Sequence, residues 1–107
     1  MLPMLWMLYN EDRDDGAALR AEYREAHLAY LDEHEDIVVL AGALLADEDP
    51  KRLGSCFIVN LPDRTAVDRF SAAEPFRKAG LFKLTKIARM RKGQFNPAVA
   101  PATPEGD

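Results

Sequence analysis

Ser55-Cys56-Phe57-Ile58-Val59-Asn60-Leu61 is the stretch that decides the fold. In an extended chain successive side chains face opposite ways, so Cys56 and Ile58 share one side and Phe57 and Val59 the other. A strand apolar on both faces is buried on both. Leu2 to Tyr9 reads the same way, with Leu2, Met4, Trp6 and Leu8 on one side and Leu5, Met7 and Tyr9 on the other. These two segments belong in the middle of a sheet. Ile37 to Leu45 is a further strand, which Gly42 interrupts as a bulge or a point of close approach. Leu84 to Arg91 is a fourth, more amphipathic strand.

Helices fill the gaps. Asn10 to Gly16 is acidic and turn-like, and Ala17 to His34 follows with helical spacing. Leu19, Tyr23, Ala26 and Tyr30 form one apolar stripe, widened by Leu31 and His34. Ala46 to Gly54 is a polar hairpin connection. Asp63 is placed to cap a second helix that turns Ala66, Val67 and Phe70 inward. Pro75 biases Glu74 out of helical geometry and breaks that helix, leaving Pro75 to Ala79 as a short turn closed by Gly80. The order is β-α-β-β-α-β, the α+β ferredoxin-like sandwich, with strands one and three central. One domain covers residues 1–93, and residues 94–107 form a tail with Pro97, Pro101 and Pro104, expected to be extended or disordered.

Two helices cover one face of a four-stranded sheet, so the other apolar face needs a cover. A second copy packed by two-fold symmetry supplies it, and a homodimer with a partly enclosed space between the sheets is expected. With 107 residues, the chain gains extra stability from such association. The net charge of −4 argues against a general nucleic-acid surface. No apolar run spans a bilayer. The first nine residues lack a basic start and a small-residue cleavage site, so they are not read as a signal peptide. A lone Cys56 fits a reducing, cytoplasmic setting, and its apolar strand makes it core rather than nucleophile.

His27 lies beside the apolar stripe, on a flank facing the core. An imidazole there is either a packed structural residue or a reaction centre. Around the helix, Glu22, Glu25, Asp32 and Glu33 gather on one flank and Arg20, Arg24, His27 and His34 towards the other. Arg24 and His27 are three apart and neighbours on the surface. The basic flank suits an anionic or oxygen-rich small molecule; a solvated face of mixed charge is the ordinary alternative. Glu74, fixed before a proline, is able to orient an imidazole, or is simply exposed there. His27 and His34 are seven residues apart, too far in rise to share a metal.

Four ordered elements carry a resemblance: Met4-Leu5-Trp6-Met7-Leu8-Tyr9, then Arg24 to Leu31 as Arg-x-x-His-x-x-Tyr-Leu, then Ala41-Gly42-Ala43-Leu44, then Glu74 to Leu81 as acid-Pro-aromatic-x-x-Ala-Gly-Leu. Together they resemble the YCII-related (YciI-like) family of the dimeric α+β barrel superfamily, over about the first ninety residues. The resemblance implies a dimer and an active site built from His27 and Glu74. Arg24, Tyr9, Gly42 and Phe76 are then its substrate-binding residues. The usual acid at the Glu74 position is Asp, and Glu is longer by roughly 1.5 Å.

No phosphate loop, metal cluster or nucleophile stands beside His27 and Glu74, so the expected chemistry is general acid–base catalysis with no cofactor and no metal. An unperturbed imidazole titrates near pH ~6.5 and suits that work. Isomerisation, elimination or dehydrochlorination of a small cyclic or aromatic acid needs nothing more. The resemblance is compatible with lyase chemistry on chlorinated hydroxyquinols. The alternative is a non-catalytic dimeric module that binds a metabolite in the same place. Either way the partners are a second copy and a small-molecule ligand, with no nucleic acid and no membrane.

Overall fold

Alternation is strict along β1 (Met4–Asp12), where Trp6, Leu8, Asn10 and Asp12 are buried and the residues between them are half-buried. The computed structural model describes residues 4–104. The chain continues through α1 (Ala17–Glu33), β2 (Val38–Ala46), β3 (Asp49–Leu61), α2 (Arg64–Ala73), α3 (Pro75–Lys78) and β4 (Phe82–Met90). A single 3-10 turn, Pro97–Val99, lies in the exposed stretch beyond Gly93. Residues 1–3, expected to open the first strand, and the end of the tail at 105–107 lie outside the described residues. None of the described helices is long and apolar enough to cross a membrane.

The sheet order is β2-β3-β1-β4, with every neighbouring pair antiparallel. The two strands with apolar residues on both sides are therefore the central ones. Register divides the sheet into two faces. Trp6 opposes Val59, Leu8 opposes Phe57, and Asn10 opposes Ser55 on the face that the helices cover. Leu5, Met7 and Tyr9 oppose Asn60, Ile58 and Cys56 on the other face. Under the helices, Trp6, Leu8, Phe57, Val59, Val67 and Phe70 pack into the core. Trp6 donates its indole N–H to the Leu61 carbonyl at 3.1 Å, which satisfies its one polar atom.

Local chemistry sets the ends of the elements. Asp63 Oδ1 accepts the Ala66 N–H at 2.9 Å and caps α2. Glu74 is extended (φ −66°, ψ 129°), as the residue before a proline should be, and α2 stops at Ala73. Gly80 takes φ +82°, a conformation that Cβ-bearing residues avoid, and turns the chain from α3 into β4. At Gly54 a Cβ atom would lie 1.9 Å from the Asn10 carbonyl oxygen, so glycine alone lets β3 approach β1 there.

Several boundaries and faces differ from the sequence reading. Strand β3 begins at Asp49, not Ser55, and β1 runs on through Asp12. Backbone pairing with the end of β2 continues the hairpin through polar residues whose side chains are exposed. Strand β4 starts at Phe82 rather than Leu84. Gly42 pairs in register with Cys56, and the irregularities of β2 fall at Val38/Leu40 and between Leu44 and Ala46 instead. The stripe on α1 holds at Leu19, Tyr23, Tyr30, Leu31 and His34, which are half-buried, and fails at one position. Ala26 is exposed, and His27 is the one fully buried residue of the helix. The inner face runs through Arg20, Tyr23, His27, Tyr30 and His34, so polar residues occupy places that an apolar count passes over.

Candidate functional site

His27 faces inward because it is on the middle turn of the α1 face that packs on α3. Glu74 arrives from the other side, held at the α2–α3 break and only 1% exposed. Its two oxygens do different work. Oε2 accepts the Arg77 N–H at 3.0 Å and caps α3, while Oε1 lies 2.5 Å from His27 Nδ1. One carboxylate thus serves the helix end and the imidazole together. The two groups are within hydrogen-bond reach. With Nδ1–H donating to the carboxylate, Nε2 carries the lone pair.

Aromatic rings fix the plane of the imidazole. Phe76 stacks on it with centroids 4.1 Å apart and planes 17° apart, and Phe57 lies at 5.9 Å. The Arg20 guanidinium covers Phe76, its Cζ 4.8 Å from the ring centroid. Arg20 in turn makes a two-pronged ion pair with Asp12, at 2.9 and 3.0 Å, and reaches the Gly54 carbonyl at 3.2 Å. Phe76 is 1% exposed; it stacks on the imidazole and also borders the small cavity beside it.

Two openings adjoin this group. A small cavity of about 180 Å³ is bordered by His27, Phe76, Ser55 and Ala41–Gly42–Ala43, with Arg24 and Arg52 at its side. A cleft of about 590 Å³ runs along the first half of α1 and the start of β3, past Tyr9, Arg20, Arg24 and Arg52. Of the residues expected at the site, the fold brings His27, Glu74 and Phe76 together, with Gly42 and Arg24 around the same cavity. Tyr9 is separate: it sits in the open-face register and lines only the larger cleft. A crevice between two sheets is not where the pair lies. His27 and Glu74 are on the helix-covered side of one protomer's sheet, because the helices that carry them pack on that face, where His27 meets Phe57.

Two contributors escaped the sequence reading. Ser55 is 2% exposed, yet borders the small cavity. Asn10 donates to its Oγ at 3.3 Å and accepts from the Thr85 hydroxyl at 2.9 Å. This buried chain across three strands leaves the Ser55 hydroxyl proton free for the cavity. The alternation of a polar residue within two central strands was its only trace in the sequence. Arg52 comes from the hairpin that had been read as a mere connection.

Burial raises the Tyr30 phenol above its usual range, with the Glu74 and then the Glu33 charges adding to the effect. It stays neutral and donates to the Phe70 carbonyl at 2.8 Å. Burial also pushes the Cys56 thiol up. Its thiolate fraction at pH 7.5 is therefore below that of a free thiol, and its reaction with a disulfide reagent is expected to be slower than that of glutathione. A colorimetric thiol assay checks this; an equal or faster rate contradicts it. Among the described residues, no group of three or more His, Cys, Asp or Glu side chains is arranged to hold a metal ion.

A protomer of this topology, with a His–carboxylate pair under its helices, is of the dimeric α+β barrel class. Residues 4–91 match the model of the YCII-related domain, and the chain belongs to that family. Among solved structures it is similar to the 5-chloro-2-hydroxyhydroquinone dehydrochlorinase of Burkholderia phenoliruptrix, in complex with 2,5-dihydroxybenzoquinone, at 32% identity and a TM-score of 0.78, covering 84% of this chain and 96% of that one. A more distant likeness is to protein PA3566 of Pseudomonas aeruginosa, at 18% identity and a TM-score of 0.49, covering 84% and 93%. A search of curated proteins finds no match.

Proposed function

We propose that this protein is a cofactor-independent acid–base enzyme acting on a small hydroxylated cyclic or aromatic compound, with dehydrochlorination or a related elimination or isomerisation as its reaction. The observation that carries this reading is the 2.5 Å pairing of His27 Nδ1 with Glu74 Oε1. It supports an imidazole acting as a base through Nε2, and His27 borders a cavity of about 180 Å³, room for a single ring. The 32% identity to a dehydrochlorinase supports the choice of reaction.

For a chlorinated hydroxyquinol the steps follow from that geometry. Nε2 takes a hydroxyl proton, and the electron pair moves into the ring. The imidazolium, stabilised by Glu74, returns the proton to the carbon that bears chlorine. That carbon is now tetrahedral. Removal of a second hydroxyl proton by Nε2 drives chloride out with the C–Cl electron pair, and the ring becomes a hydroxyquinone. The sum is loss of HCl, with no external electron acceptor required. Isomerisation uses the first half alone. Ser55 donates to a substrate oxygen, and Arg24 stabilises the anion that forms. A second copy covers the open sheet face.

The test is chloride release and quinone absorbance with 5-chloro-2-hydroxyhydroquinone, followed by a panel of halogenated phenols and lactones. Turnover that falls in His27→Ala with the fold intact supports the enzyme. Ligand binding without turnover in either protein returns the reading to a metabolite-binding module.

A further inference from the structure

The larger cleft has no part in the chemistry above, yet it shares three arginines with the small cavity: Arg20, Arg24 and Arg52. Their states differ. Arg20 is spent on Asp12 through two hydrogen bonds. Arg24 is exposed and has no ion pair among the described residues. Arg52 bonds only the nearby Pro50 carbonyl, at 3.2 Å. The acids of the cleft do not answer these charges. Asp12 belongs to Arg20, and Asp14 lies 3.3 Å from Lys83. Glu11 is the one acid of the cleft with no ion pair among the described residues, against Arg24, Arg52 and Lys51 in the same lining. Two uncommitted guanidinium groups thus border the junction between a ring-sized cavity and a cleft about three times larger.

We infer that the substrate has two parts, a hydroxylated ring beside His27 and a carboxylate-bearing substituent that passes between Arg24 and Arg52 into the larger cleft. The planar fork of each guanidinium matches a carboxylate, which a lysine ammonium would hold only as a point charge. Arg52 then determines specificity: it selects ring acids over unsubstituted hydroxyquinols. It belongs to the β3 extension that Gly54 brings against β1, so the hairpin shapes the substrate range. The inference rests on the acid–base reading only for the place of the ring, and its test needs no turnover.

The probes are 2,5-dihydroxybenzoate and hydroquinone, which differ by one carboxylate. Calorimetric titration of the full-length protein and of His27→Gln should show the benzoate binding at least about tenfold more tightly than hydroquinone in both. Arg52→Gln should remove most of that preference and leave hydroquinone affinity unchanged, while Arg52→Lys should restore it in part. Circular dichroism confirms the fold of each variant. Equal binding of the two probes, binding of neither, or an undiminished preference in Arg52→Gln overturns the inference. The expected preference without turnover on any ring acid leaves it standing and defeats the acid–base enzyme instead.

Discussion

Glu74→Gln lowers kcat by about 10²–10⁴-fold, a loss comparable with that of His27→Gln, while the protein stays folded. The reason is the double duty of one carboxylate. Glu74 accepts from the Arg77 N–H and from His27 Nδ1 at once. An amide has one accepting oxygen and one donating nitrogen, so glutamine cannot serve both. If its oxygen keeps the helix cap, its NH₂ faces Nδ1 and forces the proton to Nε2. The lone pair that acts as the base is then gone. If its oxygen turns to His27, two N–H groups meet at the start of α3. The tautomer is the readout that a purely structural role would not move. Nitrogen-15 NMR of the imidazole should report Nδ1–H in the wild type and Nε2–H in Glu74→Gln. The two substitutions act on one unit, so their combined effect on kcat should fall well short of the product of the single effects. Glu74→Ala instead leaves both donors without a partner and opens a hole, at a cost of roughly 2–4 kcal/mol on denaturant unfolding. An unchanged tautomer with full turnover in Glu74→Gln would remove the acid from the chemistry.

The strand order was legible because the two central strands advertise burial on both faces, and local rules placed Asp63, Glu74 and Gly80. The facing of α1 was legible except at one turn. Apolar periodicity put Ala26 in the stripe and His27 on its flank, whereas His27 is buried and Ala26 exposed. The inward face carries Arg20 and His27 beside Tyr23, Tyr30, Leu31 and His34, and a site that requires polar groups under a helix defeats a count of apolar ones. The extent of β3 was hidden for a related reason. Asp49 to Arg52 pair through their backbone, on which side-chain polarity has no vote. The acid–imidazole pairing came from the family resemblance alone, since two residues 47 apart in the chain carry no local sign of contact. Ser55 and Arg52 reach the cavity only through strand register across the whole sheet, and nothing local to either residue announces it.

Leu40→Asp should convert the proposed dimer into a monomer and leave the proposed turnover per chain within a few-fold of the wild type. Leu40 sits opposite Ile58 in the open-face register and is 66% exposed in the protomer. Leu84 and Met90 project on the same face from the far edge of the sheet, and both are exposed. Leu5, Met7 and Ile58 are half-buried between them. An apolar surface spanning all four strands favours self-association by the area it removes from water. Two-fold symmetry makes each Leu40→Asp substitution count twice per dimer. Burying an ionised carboxylate without a partner costs several kcal/mol, so the dissociation constant should rise by about 10³-fold or more. Sedimentation velocity at micromolar concentration separates the states, with Ala29→Asp on the exposed side of α1 as the control that keeps the dimer. The retained turnover is the sharper half of the prediction. His27, Glu74 and Phe76 meet beneath the helices of a single protomer, on the opposite side of the sheet from Leu40. If the sheet-to-sheet contact completed the site, the monomer would be inactive, and the catalytic cavity would have to extend across the interface. A wild type that is already monomeric at these concentrations would mean that the open face is covered by something other than its own copy.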